Sequence, residues 1–251
     1  MTAKSQSRAS IDEAFGFEAV CINSALVSAQ NRQRLYWVGK RNADGTYSKV
    51  NVEQPADRGI LLKDILDSAV AMREKAHAVI AIVANVVDKK TGVAEPINDI
   101  CQVGAMPRPD GEISTSAGFR IYSTEAKGRY LCANGGGAGA KTGLYAITYE
   151  IEFDDDGRPI KAIGKDGKEI TIYEVCDGKI TIKGKQYPIK LKDGYYIIRK
   201  LTVSECKRLQ TVPEWYEFPV SNSQAYKMLG NGWTCEVISH LIRSCMAEQW
   251  G

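Results

Sequence analysis

Gln30-Asn31-Arg32-Gln33-Arg34 is the stretch of this sequence whose residue types and spacing best suit chemistry. In an extended segment successive side chains alternate between faces, so Gln30, Arg32 and Arg34 are expected on one side. Two guanidiniums and an amide would then converge. Such a set of planar donors suits phosphates, carboxylates or the carbonyl edge of a base. The same five residues also fit an ordinary solvated strand. Little else in the chain competes. His77 and His240 are the two histidines, which leaves almost no material for a histidine triad or metal cluster. The seven cysteines are odd in number and form no Cys-x-x-Cys pair. That argues against a zinc site or a disulfide framework, and predicts reduced, mostly buried thiols.

The run from Asn134 to Gly143, rich in glycine and carrying Lys141 and Thr142, resembles a phosphate-binding loop at first sight. The phosphate pattern needs Gly directly before Lys-Ser/Thr and a helix after it. Here Ala140 precedes Lys141, and the segment Leu144 to Ile151 alternates like a strand. A nucleotide loop is therefore rejected. A glycine-rich loop between strands still lets backbone approach a ligand closely.

The elements that must position these groups can be read in order. Ile11, Ala14 and Phe15 share one helical face over residues 4–15, and Gly16 is placed as its stop. Ala19 to Ile22 reads as a buried strand. The loop 23–29 then delivers the Gln30–Arg34 cluster into a strand over Leu35–Arg41, with Asp44-Gly45 as a hairpin signal. This helix-strand-loop-strand run is too short for a complete sheet and predicts an unpaired strand edge. Gly59 to Asp67 reads as a short amphipathic helix. Periodicity alone assigns 77–87 to neither helix nor strand. From about residue 100 the pattern is β. Phe119–Tyr122 and Tyr130–Ala133 are short strands. Asp-Gly pairs at 156–157, 166–167, 177–178 and 193–194 punctuate a meander of hairpins bearing many lysines, read as a solvated sheet face. Two helices close the chain. One starts at the capping-box pattern Thr202-Val203-Ser204-Glu205 and ends before Pro213. The last is N-capped by Thr234, with Val237, Ile238, Leu241, Ile242, Cys245 and Met246 in one apolar stripe.

Three blocks in order resemble the C-terminal part of the bacterial and phage C5-cytosine DNA methyltransferases. Gln30-Asn31-Arg32-Gln33-Arg34 resembles the motif known as VIII. Arg199-Lys200-Leu201-Thr202 through Glu205, Arg208, Leu209 and Gln210 resembles motif IX, with Thr211-Val212-Pro213 where the family usually has Gly-Phe-Pro. Ser223-Gln224-Ala225-Tyr226 through Gly230-Asn231-Gly232 resembles motif X. The family flips the target cytosine out of the duplex. A cysteine in Pro-Cys attacks its ring carbon 6, and a Glu in Glu-Asn-Val holds the base. This sequence contains no Pro-Cys, no Glu-Asn-Val and no Phe-x-Gly-x-Gly of the cofactor site, so no cysteine is assigned as nucleophile.

The resemblance implies an α/β fold: C-terminal strands and helices of an incomplete, Rossmann-like methyltransferase sheet, plus a β-rich target-recognition domain. The implied divisions are 1–68 with motif VIII, 69–200 for recognition, and 201–251 with motifs IX and X. It implies that Arg34 contacts the cytosine carbonyl while Arg32 and Gln30 support that pocket. Gly230, Asn231 and Gly232 would border S-adenosyl-L-methionine. Arg120, Gly136, Gly137 and Lys141 would contact double-stranded DNA. The apolar stripe of the last helix would pack on an N-terminal methyltransferase half, as a split enzyme would supply. A stand-alone DNA-binding module, or a decayed gene fragment, is the alternative, and an unrelated β-rich binding protein is a third.

Composition sets outer bounds. The 251 residues are 44% hydrophobic and 25% charged, ordinary for a globular protein with a real core. A net charge of +3 does not by itself signal nucleic-acid binding. No apolar run is long enough to span a membrane, and the first residues have no signal-like apolar core, so a cytoplasmic protein is expected.

Overall fold

The computed structural model describes residues 3–67, 100–114, 116–133, 139, 142–149, 152, 154–155 and 169–250, with side chains from residue 8 to residue 247. The apolar run 77–87, the Asp-Gly pairs at 156–157 and 166–167, and Gly136, Gly137 and Lys141 lie outside the described residues.

Helix α1 (Ala3–Phe15) ends as its sequence predicts. Gly16, at φ +77°, donates its N–H back to Asp12 O and stops the helix. Then come β1 (Val20–Asn23), a 3-10 turn at Ser24–Leu26, β2 (Gln30–Asn31) and β3 (Gln33–Tyr36). β1 and β3 pair antiparallel, Val20 facing Tyr36 and Asn23 facing Gln33, as a sheet of two strands. The strand expected over Leu35–Arg41 is divided. Past Tyr36 the chain bends away into β4 (Gly39–Arg41), which pairs with β5 (Tyr47–Lys49) around the Asp44-Gly45 turn. The helix expected at Gly59–Asp67 contracts to one 3-10 turn, Leu62–Ile65. Leu62 is fully buried there, and the Asp64 carboxylate accepts the Leu61 N–H.

The larger sheet has seven strands and is mixed, which makes the fold α/β. Its members are β6 (Gln102–Ala105), β7 (Arg120–Ser123), β9 (Leu144–Thr148), β10 (Ile172–Cys176), β11 (Lys179–Ile182), β12 (Lys185–Pro188) and β13 (Gly194–Arg199), while β8 (Gly128–Arg129) pairs elsewhere. β10, β11 and β12 form the expected meander. Asp177-Gly178 turns the first hairpin with φ of 51° and 67°, and Lys183-Gly184 turns the second with 50° and 76°. Asp193-Gly194 does not close a hairpin. The connection after β12 carries the chain back across the sheet, and β13 inserts between β10 and β9. Alternation places Ile180 and Ile182 inward against Val175, Tyr187 and Tyr196, and leaves Lys179 and Thr181 outside. The strand expected over Tyr130–Ala133 begins earlier, as β8, and pairs in parallel with β2.

Three helices close the chain, where two were expected. α2 (Val203–Leu209) starts at the predicted capping box. The Thr202 hydroxyl accepts Glu205 N–H at 3.1 Å, and the Glu205 carboxylate accepts Thr202 N–H at 2.7 Å. α3 (Asn222–Asn231) is the unexpected one. Ser221 caps it, and the Ser221–Gln224 spacing is the sequence signal that marks it. α4 (Cys235–Trp250) follows Thr234, but the Thr234 hydroxyl does not cap it. The Thr211 hydroxyl takes the Glu236 N–H instead.

One apolar core gathers α2 with Tyr122 and Tyr145, a second lies on the seven-stranded sheet around Ile121, Leu144 and Ile180, and a third lies under α4. The stripe of α4 divides. Val237 and Leu241 pack within the chain on Ile22 and Val27, whereas Ile242 and Met246 stay more than half exposed. Burial also corrects the reading of the thiols. Cys206 is buried, but Cys21, Cys101 and Cys176 are exposed and Cys132, Cys235 and Cys245 are half-buried. Cys21 and Cys176 lie on short strands where alternation turns them outward.

Candidate functional site

The Gln30–Arg34 segment does not present its three donors together. Between β2 and β3 the chain is pinned by Asn23, whose side-chain oxygen accepts the Arg32 N–H at 2.9 Å. Gln30 and Arg32 point inward and are buried, while Arg34 is exposed with one guanidinium nitrogen on Gln33 O at 2.7 Å. Strand alternation holds for Gln30 and Arg32 and fails at Arg34, because the pairing partner changes from β8 to β1 between them.

Arg32 is the strongest tie in the region. Its guanidinium donates to Leu131 O at 3.2 Å, Gly230 O at 3.3 Å and Gly232 O at 3.0 Å. Burial, and then the neighbouring charge of Arg34, pull it below the ordinary guanidinium value. Gln30 is fully buried. Its amide nitrogen donates to Leu209 O and to Gln210 Oε1, and its oxygen accepts Leu131 N–H. Gln210 donates in turn to Leu229 O at 2.6 Å and to Gly232 O at 3.4 Å. The last carbonyls of α3, which have no partner inside a helix, are therefore capped by side chains from distant parts of the chain. The segments around Gln30–Arg32, Leu209–Gln210 and Leu229–Gly232 thus meet at one seam.

Gly230 is buried in that seam. A Cβ there would lie 2.5 Å from both Ala133 N and Cys132 C, so only glycine lets α3 approach the 131–133 segment. Asn231 is exposed and Gly232 half-buried. Gly232 lines a cleft of about 520 Å3 with Pro213, Phe218, Met228, Trp233 and Ile238. Its walls are mainly apolar, and no carboxylate lines it. Trp233 and Trp215 beside it are strongly exposed.

Lys127 has no signal in the sequence. It is completely buried and donates to Ala25 O, Ser28 O and Ile60 O, fixing the turn before β2. Burial lowers its pKa from the ordinary lysine value. A second tie holds the root of α2. Glu205 is buried and takes a two-bond pairing from Arg199 at 2.7 and 2.6 Å, together with the Asp67 N–H. Arg208 joins Asp67 and Glu214. Arg120 is half-buried at the start of β7 in the seven-stranded sheet, away from the Gln30–Arg34 segment in sequence and in a different sheet. Cys176, Asp177 and Asp193 bring ligand atoms within 4.8 Å of one another on the exposed end of β10, a surface cluster of a kind common without an ion. No helix among the described residues is long and apolar enough to cross a membrane.

Residues 15–247 match the family described as C-5 cytosine-specific DNA methylase. The chain is similar to the Type II methyltransferase M.HhaI of Haemophilus parahaemolyticus, with 34% identity over 83 residues. That match covers 32% of this chain and 25% of the relative, so the chain spans about a quarter of the curated protein it matches.

Proposed function

The chain belongs to the C-5 cytosine-specific DNA methylase family, and from that premise we propose that it is the target-recognising part of a DNA (cytosine-5-)-methyltransferase. It would act on double-stranded DNA and, joined to a part that supplies Pro-Cys and Glu-Asn-Val, transfer a methyl group from S-adenosyl-L-methionine to cytosine. The observation that carries this reading is the seam itself. Arg32 and Gln30 are locked to Gln210 and to the Gly230–Gly232 turn, with Arg34 left exposed beside them.

In this reading the divisions are 1–68, 69–200 and 201–251. Arg34 reaches the carbonyl edge of the flipped cytosine as a planar cationic donor. Arg32 and Gln30 touch no substrate and hold Arg34's strand in place. Arg120, Gly136, Gly137 and Lys141 contact the duplex. The cleft beside Gly232 fits one side of the cofactor. Its apolar aromatic walls suit the flat face of an adenine, and it offers no acid for the sulfonium. That group supplies the methyl when bound. Gly232, which lines the cleft, would border it, with the exposed Asn231 beside it at the same turn. The nucleophile comes from outside the motifs present here. The outer edge of β3, unpaired among the described residues, and the exposed Ile242 and Met246 suit docking of a catalytic part.

Methyl transfer tests the proposal. The purified chain is mixed with tritiated S-adenosyl-L-methionine and duplex DNA, alone and co-expressed with a family catalytic part bearing the absent motifs. Tritium should enter DNA only with both parts, and Arg34→Ala should abolish it. Transfer by the chain alone, or no transfer and no salt-dependent duplex binding in any combination, overturns the reading.

A further inference from the structure

The side chain of Gln210 occupies all of its hydrogen-bonding capacity, joining Gln30 to the 229–234 segment between α3 and α4. Its oxygen accepts from Gln30 Nε2 at 3.1 Å and from the Thr234 hydroxyl at 3.0 Å. Its nitrogen donates to Leu229 O and Gly232 O. This arrangement fixes the amide's orientation, since reversing it would set oxygen against two carbonyls. The order of donors then follows outward. Thr234 gives its proton to Gln210, so at the 2.7 Å contact with Ser24 it is Ser24 that donates. Gln30 in turn holds Leu131 N–H. Ser24, Gln30, Gln210 and Thr234 are all buried, and no buried side-chain polar atom among the described residues lacks a partner.

We infer that Gln210 is a positioning residue: its amide registers the Gln30–Arg34 segment against the Gly230–Gly232 turn, and neither half keeps its geometry without it. The inference deepens the methyltransferase reading, under which these are the base side and the cofactor side of one site. Arg32 also spans the seam, but its guanidinium sits on carbonyls alone. Gln210 accepts from Gln30 across the seam through its oxygen and donates to Leu229 O and Gly232 O through its nitrogen, so its two ends can be broken separately by chemistry.

Gln210→Glu breaks one end. It is isosteric. Its carboxylate still accepts from Gln30 and Thr234, but it meets Leu229 O and Gly232 O with negative charge and no donor. Protonation returns one donor. Gln210→Ala breaks both ends. The measurement is amide hydrogen exchange on the full chain, followed at Leu131, whose N–H rests on Gln30, and at Gly232, whose N–H bonds Met228 O at the end of α3. Tyr196, in the middle of the large sheet, reports global folding.

In Gln210→Ala, protection at Leu131 and Gly232 should both fall at least about tenfold, with Tyr196 unchanged. In Gln210→Glu, Leu131 should keep its protection while Gly232 loses it, and Gly232 should recover as pH falls through the carboxyl's pKa. If Leu131 is unaffected in Gln210→Ala, or if both amides fall together in Gln210→Glu, the inference is overturned. If the alanine variant unfolds, as Tyr196 would reveal, the glutamate variant alone decides by its split. Exchange requires no DNA and no cofactor. A correct split with neither methyl transfer nor duplex binding in any combination of parts would sink the methyltransferase reading and leave the positioning role standing.

Discussion

Arg32 Nη2 lies 3.0 Å from Gly232 O, a contact between residues 200 positions apart in the chain. It places a cation on the C-terminal end of α3, where the helix dipole and the unpaired carbonyls both favour positive charge. Two arginines two residues apart thus have opposite fates. Arg32 is an internal clamp, and Arg34 remains at the surface.

Substitution should separate them. Arg32→Ala leaves Leu131 O and Gly230 O without their side-chain donor and Gly232 O with the longer bond from Gln210 alone, and should cost about 2–4 kcal/mol in urea unfolding. Arg32→Lys cannot reproduce the fork and should recover only part of that. Arg34→Ala should leave the midpoint within about 0.5 kcal/mol of the parent, because the side chain is exposed. Equal losses at both positions would refute the division of roles.

Local signals in the sequence were read well and distant ones were not. The Thr202–Glu205 capping box, the Gly16 stop and the Asp44-Gly45 and Asp177-Gly178 turns each depend on a few adjacent residues, and each forms. The family was also legible, and the family match runs over residues 15–247. The burial of Gln30 was not legible, since its partners are Leu131 and Gln210, 101 and 180 residues away. Asp193-Gly194 looked like another hairpin because dipeptide chemistry cannot reveal that β13 must cross back to β10. Thr234 sits where an N-cap belongs, yet tertiary partners take its hydroxyl.

Gly230→Ala tests the close approach of α3 to residues 132–133. The added Cβ would meet backbone at 2.5 Å on two atoms, and backbone cannot swing aside as a side chain can. A loss of at least about 2 kcal/mol is expected. Gly232→Ala, whose nearest neighbour would be Met228 O at 3.1 Å, should cost clearly less. A Gly230→Ala chain with unchanged thermal unfolding would show that the seam is looser than drawn.

The Arg199–Glu205 pair should behave as a unit. Glu205 is fully buried and its carboxylate also receives the N–H groups of Thr202 and Asp67. Glu205→Ala therefore removes a helix cap and strands a guanidinium, with an expected loss of about 3–5 kcal/mol. Arg199→Ala leaves the buried carboxylate with its backbone donors and should cost less. In a double-mutant cycle by urea unfolding, the two losses together should fall short of their sum by at least about 1 kcal/mol. Strict additivity would mean that the pair contributes nothing beyond its separate contacts.

Tyr226 gives the chain a specific alkaline sensitivity. Its hydroxyl donates to Leu201 O at 2.7 Å, and its ring lies under the Lys200 ammonium. Burial, and then the nearby Cys206 and Glu205, push its pKa from 10.0 up to about 12. The folded state thus keeps this proton where the unfolded chain releases it. The stability tied to Tyr226 is complete below pH 10 and is lost as pH rises through about 12. Tyr226→Phe keeps the ring beneath Lys200 and removes both the hydrogen bond and the titration. At pH 7 the variant should be about 1 kcal/mol less stable than the parent. Between pH 10 and about 12 that gap should shrink, because the parent alone loses Tyr226's contribution. Other raised tyrosines, such as Tyr36 and Tyr173, titrate in both proteins and cancel in the difference. Urea midpoints that fall in parallel for the two proteins across this range would show that Tyr226 does not hold its proton through the Leu201 contact.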